Sequence, residues 1–464
     1  MDEPRQVLLL LLHRPAWAHA SMWSKGTVLF MHQGLVDRSQ LYWLWLLYIR
    51  HYRCSSSPEL NSMSASSLMR GEEDMQRRLV VKLMRGEEDM QRRLVVKLMR
   101  GEEDMQRRLV VKLLGLSLLL SLATNGGGVQ AQPLVPAMIL FGDSTIDVGN
   151  NNYLPGAVFK ANYAPYGDNF RRHRATGRFS DGKIVSDITA ESLGFVSYAP
   201  PYLSPLASGK NLLAGANFGS AASSYADDTA AMYDAITLSQ QLKYYKEYQT
   251  KLAAVAGRRK ARSILADALY VVSTGTGDFL QNYYHNASLS ARYDVPRYCD
   301  LLVGIFSGFA AELYRLGARR IGVTSMPPLG CLPAAIRLYG KGRPSCVRRL
   351  NGDAATFNRK LNATVEALAR RHADLKIAIF DIYTPLLALS EAPAAQGFSE
   401  ARKTCCRTGD KATRVYLCNP GATKGPGMCR NASSYVYFDG VHPSEAANAF
   451  IAESMTSAGI SLIF

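Results

Sequence analysis

Two short stretches of this chain hold residue types that could do acyl chemistry. Ser144 lies in the first, Pro136-Ala-Met-Ile-Leu-Phe-Gly-Asp-Ser-Thr-Ile-Asp147. Residues 137–141 are a short apolar run ended by a turn signal, the pattern of a fully buried strand. The Gly142-Asp143-Ser144 turn then sets a hydroxyl at the carboxyl end of that strand, where open α/β sheets hold their sites. Gly-Asp-Ser is also ordinary turn chemistry, so the serine needs a base and an oxyanion hole before it counts as a nucleophile. The second stretch is Tyr437-Phe-Asp-Gly-Val-His-Pro-Ser-Glu445. Asp439 precedes His442 by three residues, close enough to accept from the imidazole Nδ1–H and leave Nε2 free for a serine proton. Pro443 suits a first helical turn, so His442 is expected at or near a helix N-terminus. A helix dipole there disfavours the imidazolium, and Asp439 would help carry its charge. A capping arrangement without chemistry is the competing reading. Past residue 131 the other histidines are His173, His285 and His372, in an arginine-rich loop, a polar loop and a helix end; each reads as solvated.

The elements that must bring these stretches together can be read in outline. Further strand-like apolar runs occupy 212–218, 268–273, 320–325 and 376–380. Helical spacing marks 183–193, 236–252, 301–316 and 350–373, and a final helix starts at Ser444. Residues 150–179 are rich in Asn, Tyr, Gly and Pro and read as a long, functional surface loop. Such alternation predicts an α/β fold: a three-layer α/β/α sandwich with a parallel five-stranded sheet over 132–464. Gly275-Thr276-Gly277 follows the third strand but lacks the third glycine of a dinucleotide loop, so nucleotide binding is discounted.

In combination these segments resemble the plant-type GDSL esterase/lipase family of the SGNH-hydrolase superfamily. The resemblance rests on Ile139-Leu-Phe-Gly-Asp-Ser-Thr-Ile-Asp-Val-Gly-Asn-Asn-Asn152, Thr176-Gly-Arg-Phe-Ser-Asp-Gly182 and Gly215-Ala-Asn-Phe218. It continues in Thr274-Gly-Thr-Gly-Asp-Phe279, Pro327-Pro-Leu-Gly-Cys-Leu-Pro333 and Asp439-Gly-Val-His-Pro443. It implies a flavodoxin-like SGNH-hydrolase fold and ester hydrolysis with no metal and no cofactor. The implied nucleophile is Ser144, with His442 as base and Asp439 as its orienter. The implied oxyanion hole uses the Ser144 N–H, a second-block backbone N–H and a third-block Asn side chain. The second-block position, usually Gly, falls at Ala222, which keeps an N–H. The third-block Asn falls at Gly277, which has no side chain to donate. Losing one such donor costs about 2.7–4 kcal/mol of transition-state stabilisation. A water beside Gly277 is one expected substitute, and Gly277→Asn is then expected to raise kcat.

The 464 residues carry a net charge of +16. No basic block with interleaved aromatics occurs, which argues against nucleic acid and for an acidic matrix such as a cell-wall polyanion as partner. The apolar run 41–49 is too short to span a bilayer, and no transmembrane partner is inferred. A perfect 15-residue repeat fills 68–82, 83–97 and 98–112. Its identity between copies suggests a recent coding duplication, not a solenoid. From Met105, a basic stretch, the apolar run 113–123 and the small-residue site Val129-Gln-Ala131 form a secretory signal peptide. Residues 1–104 then read as a disordered leader or gene-model extension, 105–131 as the signal and 132–464 as the hydrolase domain. A signal anchor with 1–112 on the cytosolic side is the alternative. Asn286, Asn362 and Asn431 head N-glycosylation sequons, which agrees with a secreted, extracellular protein. Cysteines 299, 331, 346, 405, 406, 418 and 429 lie beyond the signal. In an oxidising compartment disulfides are expected, Cys331 with Cys346 and the 405/406 pair with 418 and 429, leaving Cys299 over. Zinc is a weaker reading of 405–429, which contains no His.

Two classes of function follow. One is a secreted serine carboxylester hydrolase, or an acyltransferase using the same acyl-enzyme. The other is a catalytically weak matrix-binding protein of the same fold.

Overall fold

The computed structural model of the chain describes residues 132–409, 412–421 and 428–464. The leader 1–104 with its repeats and the signal segment 105–131 lie outside the described residues. The described residues form one compact unit.

Five parallel strands make the sheet: β1 (Met138–Gly142), β2 (Gly215–Asn217), β3 (Leu269–Ser273), β4 (Arg320–Thr324) and β5 (Lys376–Phe380), in the order β2-β1-β3-β4-β5. The strands pair in register as Leu140↔Val271, Val271↔Gly322 and Gly322↔Ala378. Side chains alternate across a sheet with period two, so this register assigns each face. Met138, Leu140, Val271, Ser273, Thr324 and Phe380 point one way, and Phe141, Tyr270 and Val323 the other. The run of β1 is buried at every position, as a strand covered on both faces must be.

Helices cover both faces. Beside the second set lie α2 (Leu238–Ala256), α4 (Val295–Arg315) and α5 (Arg348–Arg371), the last two packed on each other, with α3 (Arg258–Asp267) after α2. Phe141 meets Tyr245 of α2 and Phe309 of α4 edge-on, at centroid distances of 5.6 and 5.3 Å. On the first face α1 (Val185–Ser192) packs on α7 (Glu445–Ser454), and α8 (Thr456–Ile463) lies on β4 and β5; α6 (Tyr383–Glu391) precedes them in the chain. A small parallel pair, β6 (Glu400–Thr404) with β7 (Tyr435–Tyr437), leads into the Asp439–His442 turn.

Several boundaries differ from the expected ones for physical reasons. The run 212–218 is a strand only from Gly215; Gly209–Ala214 is a 3-10 turn. Leu212 is apolar because it is buried, and its carbonyl accepts the Tyr248 hydroxyl at 2.8 Å instead of joining the sheet. The helix expected from Ser444 is α7, which starts at Glu445 with Ser444 as its N-cap accepting from the Ala447 N–H, and α8 follows it. Pro443 therefore precedes the cap instead of lying in the first turn, and His442 stands two residues before the cap, near the helix N-terminus as expected. Helix α3 went unforeseen because its polar residues outnumber the few buried ones, Ala261, Ile264 and Leu265.

Cys331–Cys346, Cys405–Cys429 and Cys406–Cys418 are disulfides, and Cys299 is a buried free thiol. The 405–429 cysteines are thus committed to each other and are not zinc ligands.

Candidate active site

At the end of β1 the backbone turns where only glycine fits. Gly142 has φ +143°, and a Cβ there would lie 1.9 Å from the Ser273 carbonyl oxygen. The Asp143 N–H donates to that same carbonyl at 3.0 Å, so the turn is stapled to β3. The Gln241 side chain clamps it from α2, accepting from the Gly142 N–H and donating to the Gly142 carbonyl, both at 2.9 Å. Ser144 thereby stands just past the carboxyl end of β1, partly exposed.

His442 arrives from 298 residues away and meets it: Ser144 Oγ to His442 Nε2 is 2.6 Å. On its other side His442 Nδ1 lies 2.9 and 2.8 Å from the two Asp439 oxygens. A carboxylate only accepts, so Nδ1 carries the proton and Nε2 is the acceptor toward serine. Asp439 is fully buried. Its Oδ1 takes the N–H groups of Val441 and His442 at 2.9 and 2.7 Å, and its Oδ2 takes the Tyr166 hydroxyl at 2.7 Å. Tyr166 is a residue that sequence reasoning missed. It sits in the loop 150–179, buried, and its oxygen in turn accepts from the Cys418 N–H at 3.0 Å. Burial, then the Asp439 charge, hold its phenol well above the usual range, so it stays a donor. Phe179 covers the imidazole at 4.9 Å between centroids. No local pattern marks Tyr166; only the abundance of tyrosine in a long loop hinted at a role.

Ala222 and Gly277 line the same cavity as Ser144 and His442. Ala222 has φ 71°, a left-handed conformation that favours glycine. The N–H groups of Ser144 and Ala222 make no hydrogen bond among the described residues. The loop bearing Ala222 is held by the 147–151 segment. Asp147 accepts the Ala221 N–H at 3.0 Å, and Asn151 donates to the Ala221 carbonyl at 3.0 Å. Asn150 donates to the Asn217 and Gly219 carbonyls at 2.9 and 2.7 Å. The Asp-Val-Gly-Asn-Asn run is therefore a positioning latch.

At Gly277 a Cβ would meet Ser224 Oγ at 2.6 Å and Gln281 Oε1 at 2.7 Å. Both of those oxygens are buried without a hydrogen-bond partner. Gln281 also lines the cavity. Sequence reasoning missed it because its link to Gly277 is a turn of π-helix, Asp278–Tyr283, that brings it back beside the strand end.

Three buried carboxylates surround these loops. Burial pushes Asp143 and Asp147 up to about 6 and Asp278 to about 7, against the hydrogen bonds each accepts. Asp278 takes the Tyr225 N–H at 2.8 Å, tying the Ala222 loop to the third block. Among the described residues, no cluster of His, Cys, Asp and Glu could hold a metal ion. The glycosylation candidates Asn286, Asn362 and Asn431 lie away from this cleft on exposed positions, Asn286 and Asn431 as helix N-caps. His173 and His285 are exposed, and His372 stacks on Tyr314 at 4.1 Å.

Comparison with known proteins matches residues 138–455 to the GDSL-like lipase/acylhydrolase family. GDSL esterase/lipase APG of Arabidopsis thaliana is 54% identical over 71% of this chain and 92% of its own length. Two further GDSL esterases/lipases of Arabidopsis thaliana are 52% and 50% identical, each over 72% of this chain and 93% and 92% of their own lengths.

Proposed function

The chain belongs to the GDSL-like lipase/acylhydrolase family of serine ester hydrolases, and on that premise we propose that it cleaves carboxylic esters through an acyl-enzyme on Ser144. One observation carries the reading: the unbroken relay from Asp439 through His442 to Ser144, at 2.8 Å and 2.6 Å. Ser144 Oγ attacks the ester carbonyl carbon while His442 Nε2 takes the hydroxyl proton. The carbonyl π electrons move to oxygen. When the tetrahedral intermediate collapses, the C–O bond to the alcohol breaks and His442 returns its proton to the leaving alkoxide. Water then repeats the sequence on the acyl-enzyme, releasing the acid and restoring Ser144. Asp439 holds the imidazole tautomer throughout and offsets the charge of the imidazolium.

The oxyanion is met by the unpaired N–H groups of Ser144 and Ala222. For the third donor we assign the Gln281 carboxamide in place of the side chain absent at Gly277. Its support is the unsatisfied amide oxygen beside that glycine; a half-turn of the amide exchanges that oxygen for the NH2. Gln281→Leu is expected to lower kcat on an aryl ester by about 10²-fold, with KM little changed. The melting temperature should not fall, because no hydrogen bond to Oε1 is lost. A kcat within twofold of wild type would remove Gln281 from the hole. Gly277→Asn is expected to lower kcat as well, since its Cβ collides with both neighbours, and a rise would restore the original reading of that position.

A fluorophosphonate probe tests the nucleophile directly. Wild-type protein should carry one adduct, on the peptide containing Ser144. No adduct would favour the matrix-binding alternative, in which the basic surface acts alone.

We also propose that the enzyme works outside the cell, with an acidic matrix as neighbour. The three disulfides and the signal-like segment before Gln132 support this reading. Protein recovered from plant culture medium should begin near Gln132 on N-terminal sequencing. Recovery of intact residues 1–104 would refute cleavage there.

A further inference from the structure

The cavity that holds Ser144 and His442 does not stop at the strand ends. Its lining includes Met138, at the opposite end of β1, together with Val271, Phe380, Thr189, Ile451 and Met455. Met138, Val271 and Phe380 share one sheet face, by the register above. Thr189 belongs to α1 and Ile451 to α7, which pack on each other over that face. The cavity therefore has an inner arm, running from the nucleophile down between the sheet and these helices. From Gly142 back to Met138 is four residue steps, on the order of 13 Å along the strand. With a volume of about 90 Å³, a cavity of that length is narrow.

Its walls favour an apolar occupant. The polar side chains that reach the inner arm are already hydrogen-bonded, to one another or to backbone carbonyls. Ser273 Oγ bonds Thr145 Oγ1 at 2.8 Å and Thr324 Oγ1 at 2.9 Å. Asn448 donates to the Lys183 carbonyl at 3.1 Å. A bound water needs two to four polar partners, and few are left here. The floor is also specific. Phe380, paired with Thr324, lays its ring back over Gly322 of the same strand, where a Cβ would come within 2.1 Å of the ring.

We propose that this inner arm is the acyl-chain site, and that the substrates are esters of unbranched aliphatic acids of about eight to ten carbons. The proposal rests on Ser144 being the nucleophile. An acyl group esterified to its Oγ is the one part of the substrate that must start at the mouth of the arm. Met138, at the far end of β1, sets the length of chain the arm can take. The alcohol leaves on the open side, past Gln281 and Val441.

The test is the chain-length profile of p-nitrophenyl esters from acetate to palmitate. Each buried methylene is worth a factor of about four in affinity for the transition state. For wild type, kcat/KM should rise at least tenfold from acetate to decanoate and fall at palmitate. Val271→Phe narrows the arm and should lower the decanoate-to-acetate ratio at least tenfold. Met138→Ala deepens it and should move the optimum to longer chains; if Val271→Phe does not fold, this shift decides alone. A flat profile, or a profile unmoved by either substitution while acetate is hydrolysed, overturns the acyl arm and leaves the ester-hydrolase reading standing. Failure of wild type to turn over any ester, with no fluorophosphonate adduct, overturns both.

Discussion

Ser144→Ala is expected to lower kcat on a simple aryl ester by about 10⁴- to 10⁶-fold and to abolish fluorophosphonate labelling, while leaving the protein as stable as wild type. The size of the loss follows from removing the group that bonds the acyl carbon; the residual rate comes from the oxyanion hole and substrate binding alone. The absence of a stability change follows from the surroundings. Ser144 is partly exposed, and its hydroxyl has one hydrogen bond, to His442 Nε2. Removing it leaves no buried donor or acceptor stranded, because Nε2 faces the cavity. Surface changes of that kind shift stability by within about 0.5 kcal/mol. Thermal unfolding of the variant therefore separates lost chemistry from lost fold. Hydrolysis within tenfold of wild type would mean that another residue carries the acyl group.

Asp439→Asn is expected to lower kcat by about 10⁴-fold, although it changes a single atom. Oδ1 accepts two backbone N–H groups, from Val441 and His442, so the amide oxygen must stay there. The new NH2 then takes the place of Oδ2, where the Tyr166 hydroxyl and His442 Nδ1 converge. Nδ1 can meet an NH2 only as an acceptor. That moves the ring proton to Nε2, which then points a hydrogen at Ser144 and cannot take one. Tyr166 must turn its own hydrogen away as well. With Asp439 fully buried, this rearrangement has no solvent to relieve it. Steady-state rates on an aryl ester check the effect, with thermal unfolding as the control for fold. A loss below tenfold would show that the imidazole keeps its tautomer by other means.

The fold was legible wherever a pattern is local. The apolar run at 137–141, the four later runs and the helical spacings between them led to a parallel five-stranded sheet with helices on both faces, which the structure has. The runs read well because each strand is buried on both sides, so hydrophobicity alone outlines it. The pattern failed at 212–214, where apolar side chains serve the core while the backbone forms a turn. It failed again at α3, whose few buried positions left a polar helix without a visible stripe.

For the site, the sequence by itself determined the pieces that lie within a few residues of each other. A serine one turn past a buried strand, and an aspartate three residues before a histidine, are set by backbone geometry that short segments impose. What only the tertiary structure decided is which pieces meet. Ser144 and His442 are 298 residues apart, and Tyr166 reaches Asp439 across 273. Gln281 stands beside Gly277 through one turn of π-helix, and a single cavity is lined by Ser144 and Met138 from the two ends of β1 with residues of α1 and α7. Such convergence depends on how side chains of particular volume pack, and spacing along the chain carries no record of it.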